Sequence, residues 1–111
     1  MIQVKLFYQD KILNGIECSG HSGSASKGQD IICAAVSTLM HSLILGLDGV
    51  ARVKSAKYFI DDKVPIMRIT WPVNESENLS LLTLTIAESL KQIARQNPEF
   101  VKVKFNSEVS K

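Results

Sequence analysis

The sequence predicts an α+β fold: one domain over 1–111 in the order β-β-α-β-β-α-β, a mostly antiparallel sheet with two helices packed on it. Three observations predict it. Apolar and polar residues alternate at period two near the N-terminus and across 53–71. Two other stretches, one after Asp30 and one after Asn78, carry apolar residues at helical spacing. Short polar turns separate the extended runs. With 111 residues, 45% of them hydrophobic and 22% charged, the chain suits one core and not two.

Ile2, Val4 and Leu6 alternate with polar residues, as in a half-buried strand. A turn near Gln9-Asp10-Lys11 leads to a second strand over about Ile12 to Ser19. The loop from Gly20 to Gln29 is rich in glycine and serine, and its place inside a small domain marks it as functional rather than as a linker. Asp30 is read as the N-cap of a helix running to about Leu45 and closed by Gly46. On that helix Ile32, Ala35, Val36, Leu39, Leu43 and Leu47 fall in one broad apolar stripe. Cys33 and Ser37 lie roughly 90° or more from its centre, so Cys33 is expected on the flank of the core face, towards a cleft.

Val53 to Ile60 and Val64 to Trp71 read as strands joined through Asp61-Asp62-Lys63. Pro65 points to an edge position for the second of them. Asn74 to Asn78 is a polar connection, after which Leu79, Leu82, Ile86, Leu90 and Ile93 form the apolar face of a second helix. Asn97-Pro98 stops it. Phe100 to Phe105 is the last strand, with Val101, Val103 and Phe105 on one face.

The totals exclude several classes. A net charge of +2, from 13 Lys+Arg against 11 Asp+Glu, is too small to argue for nucleic acid, and none is expected as a direct partner. No unbroken apolar run reaches the roughly 18 residues of a membrane span, so no membrane partner is expected. The start of the chain goes straight into a strand pattern without the shape of a signal peptide. Cys18 and Cys33 are too few for a disulfide scaffold and lack metal-ligand spacing, so neither metal nor cofactor is expected. The cytoplasm, where Cys33 stays reduced, is the expected compartment.

The segment from Gly20 to Ser37 carries the chemistry. It sets His21 on a small-residue loop and Cys33 just inside a predicted helix start. A first-turn cysteine sits beside unpaired amides at the positive end of the helix dipole, which favours the thiolate. An imidazole within reach completes a cysteine-nucleophile pair. Each residue also has a plainer reading. Cys33 alone is most simply a small buried hydrophobe, and His21 a loop-surface residue. Taken together in one loop–helix unit, the two readings stand level. Asp30 caps the helix or orients His21, and its charge offsets part of the thiol activation. Ser37, one turn beyond Cys33, donates to the sulfur or to the carbonyl of Cys33. Cys18 is expected to be packed on its strand, with a resolving thiol as the alternative. His41 lies too far along the helix to share the proton of Cys33. Trp71 is favoured as core over groove, and Lys102 and Lys104 read as a solvated strand face.

Gly20-His21-Ser22, followed by Gly28-Gln29-Asp30-Ile31-Ile32-Cys33-Ala34-Ala35-Val36-Ser37, closely resembles the signature of the ribosomal-processing cysteine protease Prp family of bacteria. One conservative departure is Ile32, where valine is usual. Length and element order match across essentially the whole chain. The resemblance implies an endopeptidase that removes a short N-terminal extension from large-subunit ribosomal protein twenty-seven, supporting ribosome assembly. It implies Cys33 as nucleophile, His21 as general base and acid, supporting roles for Asp30, Ser37, Gly20 and Gly28, and a homodimer. Cleavage after paired aromatic residues in the substrate calls for an apolar groove near Trp71, Met67 or Met40. Two rival readings are a non-enzymatic ribosome-associated binding factor and a thiol redox protein using Cys33 with Cys18.

Overall fold

The computed structural model describes residues 1–20 and 27–108. The first strands, β1 (Ile2–Gln9) and β2 (Ile12–Ser19), form the hairpin read from their alternation. Asp10 and Lys11 both adopt positive φ, 52° and 67°, the geometry of a two-residue turn that matches strand twist. Helix α1 spans Lys27–Ile44 and continues as a π-helical turn over Leu45–Val50. A second hairpin, β3 (Lys57–Asp61) and β4 (Ile66–Thr70), turns where expected. Asp61 Oδ1 accepts the Lys63 and Val64 amides there, at 2.9 and 3.3 Å. A 3-10 turn at Val73–Glu75 leads into α2 (Ser76–Gln96), and β5 (Val101–Glu108) ends the sheet.

The sheet order is β3-β4-β2-β1-β5, antiparallel throughout except for the parallel β1–β5 pair. The chain crosses from β2 to β3 through α1 and from β4 to β5 through α2. Right-handed crossovers of opposite strand sense and opposite lateral direction place both helices on one face. The helices touch each other there. Between the layers Val4, Leu6, Ile16 and Ile69 of the sheet meet Met40, Leu43 and Leu47 of the first helical segment and Leu90 of α2. Trp71 belongs to this core, its Nε1 donating to the Leu13 carbonyl at 3.1 Å.

Several expectations are corrected. Helix α1 starts at Lys27, so Asp30 lies in the first turn rather than at the N-cap. Lys27 and Gln29 favour helix, and a carboxylate in the first turn complements the dipole, which together carry the helix upstream. Of its predicted stripe Val36, Leu43 and Leu47 are buried and Ile32 and Leu39 pack partly on the core, while the stripe also takes in Met40, which the prediction did not include. Cys33 is in line with that stripe at its upstream end, packed partly against the core. Gly46 does not close the helix: Ala51 N–H donates to Gly46 O at 2.7 Å within the π turn. A Cβ on Gly46 would stand 2.6 Å from Leu82 Cδ2, so the glycine lets α2 approach. Pro65 precedes β4, which lies inside the sheet with β3 outside it at the edge. Strand β3 begins later than Val53, because Arg52 has φ 55° and Val53 is buried in the connection. The stretch Asp30–Val50 has a mean hydropathy of 1.8 and is long enough to cross a membrane, although its apolar run is broken by polar residues. Here its inner line is spent on the domain core.

Candidate active site

Beside α1 lies a cavity of about 230 Å³ in which Cys33 and Ser37 face Gly20 and the β3–β4 hairpin. Its floor and walls are apolar, with Met40, Met67, Ile60 and Ile66 among them, while Asp61 and Asp62 stand at the hairpin side. Cys33 sits in the second turn of α1, half-buried, one helical turn before Ser37. The first-turn amides of α1 therefore lie a turn upstream of the sulfur, and a helix-end field fades within that first turn.

Gly20 is fixed by its backbone. Its φ is +86°, and a Cβ there would stand 2.3 Å from the Met1 carbonyl oxygen. Its amide donates to Pro65 O at 3.0 Å, tying the end of β2 to the start of β4. No residue with a side chain fits that corner without moving the N-terminal strand.

Cys18 shares the cavity wall but differs in kind. It is 8% exposed, and burial, reinforced by the neighbouring Glu17 charge, pushes its thiol up to about 12. Such a thiol stays protonated and is a poor resolving partner. Packing is thus the role the structure supports for Cys18.

Ser37 is exposed, and its Oγ lies 3.4 Å from His41 Nδ1 instead of on the sulfur or the Cys33 carbonyl. His41 Nδ1 is also 2.8 Å from the Ser37 carbonyl, which keeps the imidazole on its own helix surface, away from Cys33. Asp30 is exposed on the first turn of α1, and Gly28 falls in the same turn. His21 lies outside the described residues. The fold thus brings Gly20, Cys33 and Ser37 to one cavity and leaves Asp30 on the surface. Met40 and Met67 line that cavity, whereas Trp71 does not.

A profile of the cysteine protease Prp family matches residues 1–102. The chain belongs to that family. It is a cysteine protease, and the cavity that holds its half-buried Cys33 is the candidate active site of a Prp-family enzyme. No curated protein matches the sequence. A crystal structure from Streptococcus mutans is 31% identical with a TM-score of 0.86, covering 97% of this chain and 96% of that one. The S. aureus ribosomal processing protease Prp in complex with a substrate peptide is 21% identical with a TM-score of 0.79, covering 96% of this chain and all of that one (100%). The same S. aureus protease with a covalently linked product peptide matches at 20% identity, a TM-score of 0.79 and the same coverage, 96% and 100%. The shared architecture is that of the Prp fold.

Sequence reasoning missed the residues that the second hairpin brings to the Prp site. Ile60, Asp61, Asp62, Pro65 and Ile66 line the cavity opposite Cys33. The hairpin itself was legible. What the sequence lacked was any local signal that its tip would stand beside the start of α1, because a crossover connection decides that.

Proposed function

We propose that this enzyme removes a short N-terminal extension from a ribosomal protein precursor, large-subunit ribosomal protein twenty-seven, with Cys33 as nucleophile and His21 as general base and acid. One observation carries the reading: the half-buried sulfur of Cys33 opens into a cavity walled by Gly20, the residue bonded to His21. The S. aureus relative crystallised with substrate and covalently linked product peptides supports a covalent route through the same fold. Apolar walls with two adaptable methionines suit a bulky apolar side chain before the scissile bond.

In the reaction, His21 takes the thiol proton and the Cys33 thiolate adds to the scissile carbonyl carbon. In this reading backbone amides at the helix start, with donors from the Gly20 to Gln29 loop, would receive the oxyanion, a class of contact worth ~3–4 kcal/mol. The imidazolium then protonates the leaving amine as the C–N bond breaks, giving a thioester and a free N-terminus. Water, deprotonated by His21, attacks the thioester and releases the acid and the thiol. The reaction belongs in the cytoplasm, where the thiol remains reduced.

A homodimer belongs to the same reading. Ile31 and Leu45 are 67% and 65% exposed on the outer side of α1 and its extension, with the exposed polar residues Thr38, His41 and Ser42 between them, a mixed surface that a second copy can cover. Sedimentation of the protein at micromolar concentration is expected to give a dimer that Leu45→Glu weakens.

The deciding experiment is cleavage of a peptide spanning the extension junction, followed by mass spectrometry. Wild type cuts once, and Cys33→Ala and His21→Ala do not. Cutting at wild-type rate by either variant would overturn the assignment.

A further inference from the structure

The face of the sheet turned away from the helices is covered by no element among the described residues. Strand register places one residue from every strand in a single row across it: Phe59, Arg68, Glu17, Lys5 and Lys104. Glu17 is only 4% exposed although its face is open, because its neighbours in the row fold over it. Its carboxylate takes Arg68 Nε at 2.7 Å and Lys5 Nζ at 3.7 Å. Arg68 lies over the Phe59 ring, 5.4 Å from its centroid. The guanidinium is thereby fixed through Nε and ring, while its terminal nitrogens take no other partner among the described residues. The Arg68 side chain stays 44% exposed and that of Lys5 36%.

By the same register Lys57 and Lys102 share this face, with Asp61 and Glu108 as its further carboxylates among the described residues. Five cations therefore stand against three carboxylates, of which Glu17 is buried and already used and Asp61 accepts the turn amides. Phe59 is 49% exposed beside them, and the half-buried Phe7 flanks the row at a dent of about 340 Å³ that Lys5, Glu17 and Arg68 also line. We propose that this open sheet face binds single-stranded nucleic acid, phosphates on the fixed Arg68, Lys5 and the β5 lysines, bases against Phe59 and Phe7. A pre-ordered guanidinium and neighbouring lysines, set beside the exposed Phe59 ring and the half-buried Phe7 ring on an open sheet, meet a flexible polyanion that carries π-faces. A second copy of the chain is disfavoured on this surface, since two such faces repel. The site lies on the opposite side of the sheet from the cavity, so it does not depend on the protease reading.

Fluorescence anisotropy with a short labelled oligouridylate tests the proposal, read at several salt concentrations between about 50 and 200 mM. Wild type is expected to bind saturably and more weakly as salt rises. Lys102→Glu with Lys104→Glu, both on the exposed edge strand, is expected to weaken binding about tenfold or more and to flatten the log–log salt slope by about 1.4. Phe59→Ala is expected to cost about fivefold or more with the salt slope unchanged. Cleavage of a peptide by the lysine double variant stays at the wild-type rate. Absence of saturable binding overturns the proposal. So does equal binding by polyglutamate or by phosphatidylserine vesicles, or variants that bind like wild type.

Discussion

The two cysteines share one cavity and have opposite surroundings. Cys18 comes from β2, where it joins Ile16 of the same strand in the core, and burial pushes its thiol up to about 12. Cys33 comes from α1, half-exposed where the apolar stripe of the helix runs out at the cavity. The difference is one of position along a packed face and not of residue type. A strand in the middle of a sheet presents its side chain to a closed layer, whereas the upstream end of a helix overhangs it. One thiol is closed into the packing and the other opens to the cavity.

The largest effect that sharpens this contrast is on turnover. Cys33→Ala is expected to lower peptide cleavage by about 10⁴-fold or more, since no other group supplies the covalent step. Its stability should change little, because the side chain is small and only partly packed. His21→Ala is expected to cost about 10³-fold under the same assay. If Cys33→Ala instead unfolds the protein while Cys18→Ala stops cleavage, the roles assigned to the two thiols are reversed.

Next in size is the corner that aligns the two halves of the site. Gly20→Ala forces a Cβ towards the Met1 carbonyl at a positive φ, costing about 1–3 kcal/mol in unfolding free energy. The strand end that precedes His21 must shift to relieve the contact. Cleavage is therefore expected to fall by about 10–100-fold, more than the stability loss alone explains at temperatures where the variant is folded. Unchanged turnover with lowered stability would show that Gly20 serves only the fold.

How far the sequence foretold this arrangement depends on the range of the interactions involved. The turn at Gln9-Asp10-Lys11 marked the start of β2 at Ile12, because its positive-φ residues make the reversal locally. The turn at Asp61-Asp62-Lys63 was legible from its own residues, since the Asp61 carboxylate completes it locally. Asp30 misled because a good cap residue also suits the first turn, and the helix-favouring Lys27 and Gln29 before it tip the balance to the first turn. Gly46 misled in the same way: it reads as a terminator, yet its missing Cβ answers to Leu82 on the other helix. Pro65 was taken for an edge mark because its strand partners were unknown. Lys102 and Lys104 form the solvated strand face that their alternation predicted, while a net charge of +2 says nothing of how the cations are distributed over the sheet. Residues that act through tertiary neighbours were the ones misread.

The smallest expected effect bears on Cys18, and it has a sign. An unfolded cysteine loses its proton near 9.0, while in the fold Cys18 keeps it up to about 12. Its contribution to stability is fully present below the unfolded value and is lost as pH rises from about 9 towards 12, because only the unfolded chain releases the proton. Cys18→Ala is expected to cost about 1–2 kcal/mol at neutral pH, from the lost packing of one buried sulfur. Above pH 9 the gap between the two proteins should narrow, since alanine has no proton to release. Denaturant unfolding of both proteins at neutral and alkaline pH measures this directly. Cleavage by Cys18→Ala should stay within about twofold of wild type, as expected for a group that touches no reacting atom. Iodoacetamide should accordingly label Cys33 in the folded protein and reach Cys18 only after denaturant is added. A Cys18 that reacts as fast as Cys33 would mean that the closed layer opens, and the contrast between the two positions would fail.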